Sequence, residues 1–156
     1  MKFQEKFEEY KQRQEAKKFF NQHNDYYLTL ADYVKLSVTG IATATIVSLI
    51  FDVIGAQLNM RFLVFYLFIG YAVAYAVLKV AHLGSIKTGV ICLISYLLGL
   101  WFSSAVLLAY YYQSFGAKLS ILLCLKNGLL SLFNGNILTY LFIMAGAFIA
   151  YTVGKD

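Results

Sequence analysis

A chain of 156 residues that is 60% hydrophobic, with a mean hydropathy of +0.66, lies outside the range of soluble domains and within that of bilayer proteins. The net charge of +5 does not point to nucleic acid, because the basic residues are split among short loops and an N-terminal segment also rich in glutamate. There is no proline, and apolar runs such as "VTGIATATIVSLIF" do not alternate, which argues against barrel strands. The fold class expected is all-α: a polytopic membrane protein with four transmembrane helices and an N-terminal amphipathic helix on the cytoplasmic side.

Residues 1–33 form the first expected unit, an amphipathic helix and linker, and residues 34–156 the four-span membrane domain. "KFQEKFEEYKQRQEAKKFF" has no helix breaker and is rich in helix formers, so a helix is expected from about Phe3 to Phe20. On a helical wheel Phe3, Phe7 and Tyr10 share a stripe, flanked by Lys6, Arg13 and Lys17 on one side and by Lys11 and Lys18 on the other. Glu5, Glu8 and Glu15 project opposite. That charge order suits a helix lying on an anionic membrane surface, aromatics down and basic stems snorkelling beside them. The alternative is a helix docked on cytoplasmic loops or on its own copy. The first apolar run starts only near Val34, so the N-terminus is not expected to be a cleaved signal and the first span is expected to stay as an anchor.

Crossing a hydrocarbon core of about 30 Å takes about 20 helical residues. The first expected span, 34–54, carries Gly40, Ala44 and Ser48 at four-residue spacing. Asp52 lies in its last turn and Arg61 just beyond, an arrangement expected to form an interfacial ion pair that fixes a hairpin. The second span, 62–80, carries Gly70 with Ala74, and Ala72 with Ala76. The stretch from Ile69 to Gly89 combines glycines, lysines and a histidine, but it holds neither G-x-x-x-x-G-K-[ST] nor G-x-G-x-x-G, so it is not a phosphate loop. Gly84 and Gly89 are expected instead to bracket a cytoplasmic turn. The pattern "FIGYAVAYAV", followed by a short basic turn and a third span, resembles a stretch of uncharacterised bacterial four-span membrane proteins. Several of those carry an N-terminal zinc ribbon, and this chain has no cysteine or paired histidines before its first span. The resemblance implies a four-span architecture and brings no activity with it.

The third span, 90–112, carries Ser95, Gly99 and Ser103. From Gln113 to Asn136 the apolar runs are broken by Lys118, Lys126 and two Asn-Gly turn signals, Asn127-Gly128 and Asn134-Gly135, so 117–136 is expected to be an interfacial or re-entrant helix. The alternative has the fourth helix begin at Leu129 and run obliquely. The fourth span, 137–153, leads into a stripe of Gly146, Ala150 and Gly154. Small residues four apart let membrane helices approach closely, and their presence in every span favours a compact bundle that can self-associate.

Lys2, Lys6, Lys11, Arg13, Lys17, Lys18, Lys35, Lys79, Lys87 and Lys155 fall on one side of this threading, against Arg61, Lys118 and Lys126 on the other. Both termini are therefore expected to be cytoplasmic, in what is expected to be a bacterial plasma membrane. Cys92 and Cys124 lack C-x-x-C spacing and are expected to be free thiols, with no metal or cofactor implied. His23 and His82 lie in polar segments far from Ser103 and Ser104, so no nucleophile and base can be paired. Thr43, Thr45 and Ser48 are expected to bond to backbone carbonyls one turn back. Asn127, Asn134 and Asn136 are expected in turns, or else lining an outer vestibule. The function expected is noncatalytic. The protein would act by helix packing, either as an oligomer or as an accessory subunit of a larger membrane complex, with the bilayer as its medium. The alternative is a small transporter or channel subunit that forms a pathway on oligomerisation, with Asp52 near its outer mouth.

Overall fold

The computed structural model describes residues 11–13, 28–58, 63–82, 84–116 and 120–156, and among these every regular element is helical. The elements are α1 (Leu30–Leu58), α2 (Phe65–Ala81), α3 (Ile86–Ser114), α4 (Ile121–Phe133) and α5 (Ile137–Lys155). Of the expected N-terminal helix only Lys11 to Arg13 are described, helical and exposed. Phe3, Lys6, Phe7, Tyr10 and Lys17 lie outside the described residues, as does Arg61, and with it the expected ion pair to Asp52.

α1 begins four residues earlier than the hydropathy suggests, because its start is set by a cap rather than by apolar content. The Thr29 hydroxyl donates to Asp32 Oδ2 at 2.7 Å, the Thr29 N–H donates to the same oxygen at 3.1 Å, and the Asp32 N–H donates to Thr29 Oγ1 at 3.3 Å. This reciprocal pair satisfies donors that a helix N-terminus otherwise leaves open. α3 also starts early, at Ile86, where Ser85 Oγ accepts from the Thr88 N–H at 3.1 Å. Gly89, expected at the edge of a turn, therefore lies in the first turn of α3, where a Cβ would sit 2.7 Å from the Tyr151 carbonyl oxygen.

α1 and α3 have 29 residues each, about 43 Å of helix, and α5 has 19. These three helices are long and apolar enough to cross a membrane. The expected second span is shorter than its hydropathy window, for α2 has 17 residues, about 25 Å. α4, with 13 residues, is a short helix in the segment expected to be interfacial or re-entrant, and it corrects one detail of that expectation. Asn127-Gly128 is not a turn but the middle of this helix, and Cys124 is helical as well. The physical reason is packing. Gly128 lies against α3, where a Cβ would stand 2.9 Å from Ala105 Cα, so the glycine serves a close approach instead of a reversal. The chain turns at Asn134 to Asn136, so the last helix is separate from α4 and does not begin at Leu129.

α1 packs on α2 and α3, α5 packs on α2 and α3, and α4 is held mainly by α3. Ring stacking of Phe51 on Phe65 at 4.1 Å, together with Gly40 near Val77, sets α1 antiparallel to α2. Gly146 beside Tyr96 and Gly154 beside Cys92 set α5 antiparallel to α3. The core comprises Leu36, Ile69, Val73, Val77, Ile91, Tyr96 and Leu100, all buried. Outward faces are apolar too, with Val38, Ile46, Ile50, Phe68, Leu141 and Phe148 exposed. An apolar surface this extensive suits lipid and would be a liability in water.

Candidate functional site

The small-residue stripes are where the helices meet. On α1 the buried positions are Leu36, Gly40, Ala44 and Ser48, one every four residues. They lie against α3. A Cβ on Gly40 would stand 2.6 Å from Ser95 Cβ, and one on Gly99 would run into Ala44. Ser48 Oγ and Ser103 Oγ are 2.8 Å apart in a buried bond. Either hydroxyl can be the donor of the pair, for Ser103 Oγ also lies 3.0 Å from the Leu100 carbonyl oxygen. Ser95 donates to the Ser37 carbonyl at 3.4 Å. Thr43 and Thr45 bond one turn back at 2.8 Å, as the sequence suggests. Ser48 does not, because a serine on the facing helix offers its hydroxyl a partner across the interface. Asp52, exposed toward the C-terminal end of α1, has its Oδ2 3.4 Å from Ser48 Oγ.

The second contact joins α2 to α5. A Cβ on Gly70 would collide with the Gly146 carbonyl oxygen and lie 2.9 Å from its carbonyl carbon. A Cβ on Gly146 would collide with the Tyr66 carbonyl oxygen and the Tyr96 hydroxyl. Both obstacles to Gly70 are backbone atoms, which cannot rotate away as a side chain can. Ala74 and Ala150 are fully buried, while Ala72 and Ala76 are only partly so. Gly154 backs onto Cys92, with Sγ 2.6 Å from where a Cβ would be. Cys92 and Cys124 are both buried free thiols.

Two features escaped the sequence reading. Trp101 Nε1 donates to the Leu125 carbonyl at 2.8 Å and Ser104 Oγ to the Gly128 carbonyl at 3.2 Å, so α3 side chains hold α4 by its backbone. The signal was an indole N–H in an apolar run, which needs an acceptor when buried. The other is Tyr96, fully buried, whose hydroxyl has no hydrogen-bond partner among the described residues. His82, in a polar segment by sequence, is exposed. It closes α2 in the left-handed conformation with φ 60°, its N–H on the Leu78 carbonyl at 2.8 Å.

The Ser48–Ser103 bond gives a direct prediction. In a double-mutant cycle of Ser48→Ala and Ser103→Ala, followed by unfolding in detergent, the two hydroxyls should couple by about 0.6 kcal/mol, the usual size for such bonds between membrane helices. Strictly additive effects would mean that each hydroxyl is satisfied elsewhere.

Fold and site together define a class: an all-helical bundle with helices long and apolar enough to cross a membrane, drawn together by backbone contacts at glycines. No protein family, characterised protein or solved structure matches the chain.

Proposed function

We propose that this is a four-span, noncatalytic membrane protein that acts by helix packing, as an oligomer or as an accessory subunit of a larger membrane complex. The observation that carries the reading is how the interior polar groups are used. Ser48 and Ser103 bond each other, Ser95 and Ser104 bond carbonyls of neighbouring helices, and Gly70 and Gly146 bring two backbones together. These groups shape an interface between helices rather than a cleft. α2 counts as the second span in this reading, since 17 residues is the lower end of what crosses a bilayer with little tilt. α4 is too short to cross and lies as a re-entrant or interfacial helix on α3.

Both termini are assigned to the cytoplasm. The end of the bundle that holds Lys79 in the last turn of α2, Lys87 in the first turn of α3 and Lys155 in the last turn of α5 is also where Gly84 approaches Asp156. Short loops rich in lysine stay inside. In a background with Cys92 and Cys124 replaced by alanine, Lys155→Cys should be shielded from an impermeant thiol reagent in intact cells and Ser114→Cys should be labelled. The opposite pattern would invert the topology.

The functional test is gentle purification in nanodiscs followed by mass measurement of what stays bound. A larger subunit in fixed ratio supports the accessory role. A homo-oligomer with no other subunit supports action through self-packing, and if it also conducts or carries a solute, the pathway reading replaces the noncatalytic one, with Asp52 at its outer mouth.

A further inference from the structure

We infer that the membrane domain is a tandem duplication of one helical hairpin, α1–α2 and α3–α5, in which each helix presents a surface that fits a parallel copy of itself. The first observation is the register of α1 against α3. The residues in contact are Gly40 with Ser95, Ala44 with Gly99, and Ser48 with Ser103, the last pair separated by 55 positions and the other two by the same interval. The buried stripe Leu36, Gly40, Ala44 and Ser48 thus reappears, at that one interval, as the buried stripe Ile91, Ser95, Gly99 and Ser103. A helix contact whose central residues meet their own counterparts has the pattern of an isologous interface, as in a symmetric homodimer.

The second observation is independent, because it lies in the other two helices and in their sequence. Residues 70–79 read "GYAVAYAVLK" and residues 146–155 read "GAFIAYTVGK". Gly, Ala, Tyr, Val and Lys recur at the same five places: Gly70 and Gly146, Ala74 and Ala150, Tyr75 and Tyr151, Val77 and Val153, Lys79 and Lys155. The structure brings the two copies together at their first residue, since a Cβ on Gly70 would meet the backbone of Gly146, and both alanines are fully buried. The copies differ where their surroundings differ. Gly154 takes the place of Leu78 because it must let Cys92 in, and Ala147 takes the place of Tyr71 because it is buried where Tyr71 is exposed. The interval between counterparts widens from the first helix pair to the second, and the added chain is the stretch between α3 and α5 that contains α4. α4 is thus an insertion in the second hairpin.

This goes beyond the packing role, for it says what the surfaces recognise: their own kind, in parallel. Interchangeability is the consequence to test, in the full chain. Gly99→Ala alone places a methyl against Ala44 and should lower the thermal midpoint in detergent by several degrees. The reciprocal exchange Ala44→Gly with Gly99→Ala should return it to nearly the starting value, and so should Gly40→Ser with Ser95→Gly relative to Gly40→Ser alone. Exchanges as damaging as the single variants would overturn the proposal. Should the single variants not fold, cysteine pairs decide the register, with Cys92 and Cys124 replaced by alanine. Ser48→Cys with Ser103→Cys should oxidise to a disulfide within one chain, and Ser48→Cys with Ser95→Cys should not. Crosslinking of the second pair at a similar rate would show that counterparts do not face each other.

Discussion

Replacing Gly70 with leucine should lower the thermal midpoint of the detergent-solubilised protein by roughly 2–12 °C, the shift that overpacking of about 1–3 kcal/mol produces in a chain of this length. The first added atom would collide with the Gly146 carbonyl oxygen, with the carbonyl carbon behind it at 2.9 Å and the Cα at 3.2 Å. These atoms belong to the backbone of α5, so relief requires moving a whole helix. α5 cannot simply slide, because Gly146 is itself lodged against Tyr66 and Tyr96, and Gly154 against Cys92. Van der Waals contact is the main attraction between helices in lipid, and separating α2 from α5 forfeits it along the pair. The control is Phe68→Leu at a position 57% exposed on the outward face of α2, which should leave the midpoint nearly unchanged. If Gly70→Leu melts like that control, the α2–α5 contact is not close in the bilayer protein.

Tyr96→Phe should move the midpoint the other way. Tyr96 is fully buried among α2, α3 and α5, and its hydroxyl makes no hydrogen bond among the described residues. A buried polar group left without a partner costs about 1–3 kcal/mol, and phenylalanine fills the same space without that penalty. The expected result is a rise of several degrees. Tyr140→Phe is the matched comparison, since the Tyr140 hydroxyl donates to the Phe133 carbonyl across the α4–α5 turn, and removing it should bring no gain. A fall on Tyr96→Phe would show that the hydroxyl makes a stabilising bond. The natural partner would then be the Tyr66 carbonyl, which lies beside it across Gly146.

The sequence by itself determined the helical class, the places of α1, α3 and α5 within a few residues, and the stripes on which the helices meet. The reason is that bilayer length and four-residue spacing are both local properties of a helix: they can be read without knowing the neighbour. Gly40, Ala44, Ser48, Ser95, Gly99, Ser103, Gly146, Ala150 and Gly154 are all buried for that reason. Only the tertiary structure decided what faces each stripe. Asn127-Gly128 carries the local signal of a turn, yet a facing Ala105 makes that glycine a contact within α4. Ser48 has a backbone carbonyl one turn back available, as Thr45 does, yet Ser103 on the opposite helix takes its hydroxyl. Gly89 follows a polar stretch that hydropathy places in a loop, yet the Ser85 cap starts α3 ahead of it and Tyr151 packs on it. At Gly128 and Ser48 the deciding atoms sit on another helix, distant in sequence, whereas at Gly89 a local cap starts the helix and only the contact with Tyr151 comes from the tertiary fold.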